Sequence, residues 1–261
     1  MTLSGGMVRA ALTRAPATAI AALAMVVALA WGYLLLGAGM DMQHAGMAMT
    51  EPMAMPWTPG LALLMFLMWA IMMVAMMLPS AAPMLLLFDS MARRRREQGQ
   101  AGAGTFAFAL GYLAVWFAFS AGSTVLQYLL EQLLVMSMEM RTTSAALAGA
   151  LLVGAGLYQF TPWKLTCLRH CQSPIAFLMG HWREGTAGAL VMGWRHGLYC
   201  LGCCWLLMGL LFVGGVMNLA WIGALALYVA VEKLVPAAHW LARLAGLSLL
   251  AWGGATLLHL A

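Results

Sequence analysis

Apolar positions along this chain come in unbroken runs, not in the one-sided stripes of a soluble helix. Runs of about 20 residues, the length that crosses the hydrocarbon core of a bilayer, recur from one end to the other. Seven spans can be drawn, at roughly 17–37, 60–87, 104–130, 142–159, 193–215, 219–235 and 243–260. The pattern predicts an all-α fold: a polytopic transmembrane helical bundle in which each helix satisfies its own backbone groups.

The polar positions between the runs set the orientation. With the N-terminus cytoplasmic, Arg9, Arg14, the run Arg93–Arg96, Lys164, Arg169, Arg183, Arg195, Lys233 and Arg243 all fall inside, and Arg141 falls outside. Twelve of the 13 basic residues therefore agree with one topology, as the positive-inside bias of membrane proteins requires. This reading predicts a multi-pass protein of the bacterial inner membrane with its C-terminus outside. Arg9 and Arg14 precede the first span as they would a signal peptide, but its apolar core is longer than a usual signal core. The span is read as a retained helix; if it were cleaved, six spans would remain. The chain then divides into an N-terminal anchor helix (1–37), an external Met/His-rich loop (38–59) and a six-helix membrane core (60–261).

Composition agrees. The chain is 64% hydrophobic and 8% charged, with a mean hydropathy of +0.89, too few charges to cover a soluble surface. The pI near 9.2 points to no nucleic acid, because the basic residues serve topology. The turn RRRREQGQAGAG reads as a stop-transfer anchor at anionic lipid. The longest internal segment, 160–190, is rich in Pro, Trp and Cys. Small residues at helix-packing spacing, Ala145, Gly149, Gly154, Gly209, Gly214 and Gly215, predict close helix approaches.

Methionine changes the picture. There are 24, and two clusters hold half of them. The external loop GMDMQHAGMAMTEPMAMP carries Met40, Met42, Met47, Met49, Met53 and Met55 around His44. A thioether in a solvent loop buries nothing, but it is a soft ligand suited to Cu(I), with no proton to lose. Copper capture is expected there; the bland alternative is a low-complexity loop lying among headgroups. The second span holds Met65, Met68, Met72, Met73, Met76 and Met77, of which Met68, Met72 and Met76 share one helix face. That ladder suits either the passage of a soft cation or flexible filling of a tight bundle.

All five cysteines lie in two segments, each with a histidine. In HGLYCLGCCWLLM, His196, Cys200, Cys204 and Met208 recur every four residues along one stripe, and Cys203 is three residues from Cys200. The adjacent Cys203 and Cys204 are expected to diverge, one of them packing. In TPWKLTCLRHCQSP, Cys167 and Cys171 are one turn apart with His170 between them. Cytoplasmic thiols stay reduced, and the spacing within the fifth span disfavours a disulfide, so metal binding by thiolate and imidazole is the reading. By depth, a cysteine–methionine site between the second and fifth spans is allowed, with Met72, Met73 and Met76 level with Cys203 and Cys204. Glu232 and Lys233 either neutralise each other or Glu232 turns inward as a ligand or proton acceptor.

The stretches AMMLPSAAPM (75–84), GYLAVWFAFS (111–120), GLYQFTPWKLTCLRHCQSP (156–174), GWRHGLYCLGCCWLLM (193–208) and GGVMNLAWI through VEKLVP (214–236) resemble the predicted metal-binding integral membrane proteins of domain of unknown function 2182. The resemblance covers about 60–260 and implies a metal site that includes Cys167, His170, Cys171, His196, Cys200, Cys203, Cys204 and Glu232. It does not extend to the loop 38–59.

The expected function is an integral membrane protein that binds copper through Cys, His and Met and captures, holds or delivers it. An alternative is a subunit of a membrane-embedded copper or iron redox enzyme acting on a small lipophilic substrate; a further one is a structural subunit whose cysteines pack. Iron and zinc are the alternative metals, and thioether content favours copper. The expected partners are the lipid bilayer, the metal ion and other membrane or periplasmic subunits. No HExxH, phosphate loop or paired ExxH helices mark a catalytic centre.

Overall fold

Thr58 turns the chain into its longest helix, accepting a hydrogen bond from the Leu61 amide at 3.2 Å, with Pro59 in the first turn where its missing N–H is no loss. The computed structural model describes residues 17–37, 57–99, 104–137, 140–235 and 238–258. Among them, helices run α1 (Ala17–Leu35), α2 (Pro59–Glu97), α3 (Thr105–Gln132), α4 (Ala145–Tyr158) and α5 (Pro162–Gln172). The order continues α6 (Pro174–His181), α7 (Gly185–Gly209), α8 (Leu211–Gly214), α9 (Leu219–Leu234) and α10 (Ala238–Leu258). The strand-like pairing among the described residues is a single bridge, Met136 to Thr142.

Five stretches are long and apolar enough to cross a membrane: α1, α2, α3, α7 continued by α8, and most of α10; α4 with α5, bent by 66° at a short break, makes a sixth if counted as one. The seven expected spans differ in two places. Residues 142–159 form a helix of 14 residues that ends where Thr161 caps α5 by accepting from the Lys164 amide. Residues 219–235 form α9, of 16 residues, started by the Asn218 side chain on the Trp221 amide; at 1.5 Å per residue it is about 24 Å long. The internal segment 160–190 is largely helical, because Pro162 and Pro174 stand at first turns and start helices there.

Glycine sets the tightest seam. Gly111 of α3 backs onto the Leu190 carbonyl and Trp194 amide of α7, and Gly193 backs onto the Phe108 carbonyl. A Cβ at Gly197 would lie 2.8 Å from the Val115 side chain. Any side chain at the first two would meet backbone, so the two helices approach here as small residues permit. Of the small positions expected to pack, Gly149 lies under Leu257 and Gly214 under the Trp221 ring, whereas Gly154 and Gly209 face open space.

Met65, Met68, Met72, Met73, Met76 and Met77 of α2 are all buried in the common core. Pro79 and Pro83 pass through the same helix, removing the N–H groups that would reach the Ala75 and Pro79 carbonyls. One turn earlier the Met77 carbonyl accepts from the hydroxyls of Ser80 at 2.9 Å and Tyr112 at 3.3 Å. Outward positions are apolar: Leu29, Leu63, Phe106, Leu129, Leu227 and Leu247 are all exposed.

Candidate metal centre

The α3–α7 seam presses one face of α7 into the core, and on it His196, Cys200, Cys203, Cys204 and Met208 are all buried. The Cys203 and Cys204 thiols both donate to the Cys200 carbonyl, each at 3.0 Å. The expected divergence of the adjacent pair is therefore corrected. Side chains three and four residues along a helix flank the same turn, so both reach back to one acceptor. From α5, the Cys171 thiol interacts with those of Cys200 and Cys203. The Cys167 sulfur lies against α7 at Gly202, 2.8 Å from where a Cβ there would stand. All five cysteines are free thiols.

A positive charge already stands among these sulfurs. The Lys233 ammonium, brought in by α9, donates to Cys200 Sγ at 2.9 Å, to Ser80 Oγ at 3.3 Å and to Met77 Sδ at 3.7 Å. The Tyr112 hydroxyl lies 3.1 Å from Cys200 Sγ and closes the far side. The expected cysteine–methionine site is thus bridged by an ammonium, and its methionine is Met77. Met72, Met76 and Met208 are buried in the same core without a polar partner of this kind.

Glu232 and Lys233, adjacent in sequence, part company. Glu232 pairs with Lys164 of α5, whose Nζ is 2.7 Å from one carboxylate oxygen and 3.0 Å from the other, and both side chains are fully buried. Gln159 accepts from the same ammonium. Tyr228 donates to Glu232 at 3.2 Å, and Gln172 donates to its backbone carbonyl at 2.9 Å. Glu232 does turn inward, but Lys164 claims it, so as placed it is no metal ligand. Self-neutralisation with Lys233 is excluded by the same contacts.

The histidines divide as well. His196 is 3% exposed and stacks on Tyr112 with ring centroids 5.6 Å apart, and its Nδ1 has no hydrogen-bond partner. An orphaned ring nitrogen buried next to a thiol cluster is a free donor atom. His170 instead lies flat on Tyr199, centroids 4.1 Å apart, with Nδ1 on the Thr166 carbonyl at 2.8 Å; the structure does not bring it to the cysteines. His44, Met42, Met47 and Met49 lie outside the described residues.

Among the described residues, no group of three or more His, Cys, Asp or Glu is arranged to hold a metal ion as it stands. The Lys233 ammonium takes the position beside Cys200 that an ion bonded to that sulfur would take. The donor set itself, four thiols with a thioether and an unpartnered imidazole nitrogen, is soft and fits Cu(I). Sequence reading missed Lys233, Tyr112, Ser80, Met77 and Lys164. For Lys233 the signal was present, a charged residue at the end of a short apolar run, but it was read as a topology signal and as a partner for Glu232.

Residues 66–256 match the PpoB2 family, described as a copper chaperone. That stretch spans most of the chain and every residue of the sulfur pocket, and the protein belongs to this copper-handling family. No curated protein and no solved structure matches the chain.

Proposed function

We propose that the protein is a multi-pass inner-membrane copper carrier. It receives Cu(I), holds it on Cys200, Cys203, Cys204 and Cys171, and passes it to a membrane or periplasmic partner subunit. Copper is cargo in this reading. The core 60–261 holds it, the loop 38–59 gathers it outside, and the N-terminus is cytoplasmic. The exposed leucines and phenylalanine around the bundle support the membrane setting, since a soluble monomer rarely shows so much continuous apolar surface.

The observation that carries the reading is the placement of Lys233. An ammonium buried among sulfurs, while the neighbouring carboxylate is given to Lys164, marks a pocket built to contain one positive charge. At 2.9 Å from Cys200 Sγ, Nζ occupies the space of a metal bonded at about 2.3 Å to a thiolate, so ion and ammonium exclude each other. Exchange of one cation for the other leaves the buried charge unchanged, which avoids the cost of an uncompensated charge in a low-dielectric interior. Lys233 thereby keeps the thiols occupied between ions.

Copper analysis of the full chain tests this. Purified in detergent without chelator and titrated with Cu(I) against bathocuproine disulfonate, the protein is expected to hold copper. Cys200→Ser weakens that hold by about a hundredfold or more, some 2.7 kcal/mol. Equal retention by the wild type and the Cys200→Ser variant overturns the assignment of the pocket.

A further inference from the structure

At the other end of α2 and α3 lies a second polar island with the opposite charge problem. Glu131, on the last turn of α3, is 8% exposed. Its carboxylate accepts from the Trp57 indole N–H at 2.7 Å and from the Gln127 amide at 2.9 Å. Both donors are neutral, and no basic side chain pairs with it among the described residues. A buried carboxylate without a cation is expensive to maintain, more so if the bundle lies in lipid. Lys164 and Glu232 show that this same chain pairs a buried carboxylate where the purpose is structural.

The Gln127 amide also reaches Met65 Sδ at 3.5 Å. Its orientation is fixed from behind, because its carbonyl oxygen accepts from the Trp69 indole at 2.8 Å; the NH2 group therefore faces both the carboxylate and the thioether. An anionic oxygen and a soft sulfur are held around one point, and the Trp57 ring, edge-on to Tyr128 at 5.2 Å between centroids, covers it. Met65 also opens the buried thioether series Met65, Met68, Met72 and Met76, which ends beside Met77 and the Lys233 ammonium. Twelve residues separate Met65 from Met77, about 18 Å of helix. An island that holds a negative charge without a cation, and one that holds a positive charge without a carboxylate, stand at the two ends of one row of thioethers.

We propose that Glu131 and Met65, held by Gln127 under Trp57, form an outer site for a soft monovalent cation of the Cu(I) class, from which the ion passes along the α2 thioethers to the cysteine pocket. The inference rests on the copper reading above and adds to it a second site and a direction. Glu131 supplies charge and Met65 the soft ligand. Gln127 positions both, and Trp57 must swing aside for the ion to arrive. This end is opposite Arg93–Arg96, so positive-inside topology turns it to the exterior.

The test uses Ag(I), which resists oxidation and prefers the same ligands, on the full chain in detergent. In a protein with Cys171, Cys200, Cys203 and Cys204 all changed to Ser and the loop methionines Met40, Met42, Met47, Met49, Met53 and Met55 changed to Leu, Ag(I) binding by equilibrium dialysis is expected to persist. Adding Glu131→Gln, which keeps the shape of the side chain, weakens it by about tenfold, and adding Met65→Leu does the same. Unchanged Ag(I) binding after both substitutions overturns the outer site. Equal Ag(I) binding by the wild type and the four-serine protein overturns the inner pocket instead, while the Glu131 comparison still decides the outer one. If the four-serine protein does not fold, the single variants decide. Glu131→Gln is expected to slow the rise of the silver–thiolate ultraviolet absorbance by about tenfold, whereas Cys200→Ser lowers its amplitude. A wild-type rate in Glu131→Gln overturns the proposal.

Discussion

Two lysines are buried in this bundle, and they are held in opposite ways. Lys164 meets a carboxylate with both oxygens near its ammonium and an amide oxygen besides. Lys233 meets a thiol, a hydroxyl and a thioether. The first set of partners is hard, charged and complete, and it ties α5 to α9. The second set is soft and weakly polar, better matched to a Cu(I) ion than to an ammonium. A buried charge with a full complement of oxygen partners is architecture; one resting on sulfur can be exchanged.

The sharpest way to break that contrast is to remove one partner from each. Lys164→Met leaves the buried Glu232 without its cation, with an expected loss of about 3–5 kcal/mol of stability, read as a large fall in detergent melting temperature; the double change Lys164→Met with Glu232→Met restores most of it. If Lys233→Met proves equally damaging to the fold, the distinction fails. Next in size is Gly193→Val, which drives a side chain into the Phe108 backbone. Overpacking of this kind costs about 1–3 kcal/mol, and copper retention falls with it, because the seam holds His196 and Cys200 in place. Lys233→Met itself is expected to fold and to release Cu(I) about tenfold more slowly, equivalent to about 1.4 kcal/mol, since the returning ammonium is gone; stopped-flow transfer to a chelator reads this. The smallest effect belongs to Ser80→Ala, which takes one hydrogen-bond partner from Lys233, about 0.5–1.5 kcal/mol. It is expected to quicken copper uptake slightly without changing the amount bound.

Much of the site was legible in spacing. His196, Cys200 and Cys204 repeat every four residues, and such a stripe has one face whatever surrounds it; the structure buries that face. Cys171 was visible for the same reason, one turn from Cys167, but that Cys171 would reach the Cys200 and Cys203 thiols while Cys167 settled against Gly202 was not. That depended on the 66° bend between α4 and α5. His170 shows the limit from the other side: its neighbourhood in sequence suggested a ligand, and the ring of Tyr199 claimed it. The methionine ladder of α2 was readable as one face, yet the methionine that reaches the pocket is Met77, because Lys233 enters at its level.

Long apolar runs, their breaks and the stripe of thiols follow from the order of residues alone, because helix length and helical periodicity are local properties of a chain. The pairing of charges does not. Glu232 and Lys233 are neighbours by one bond, and a helix necessarily sends adjacent side chains about 100° apart. Which partner each then found, Lys164 for one and Cys200 for the other, was decided by the helices that α9 packs between.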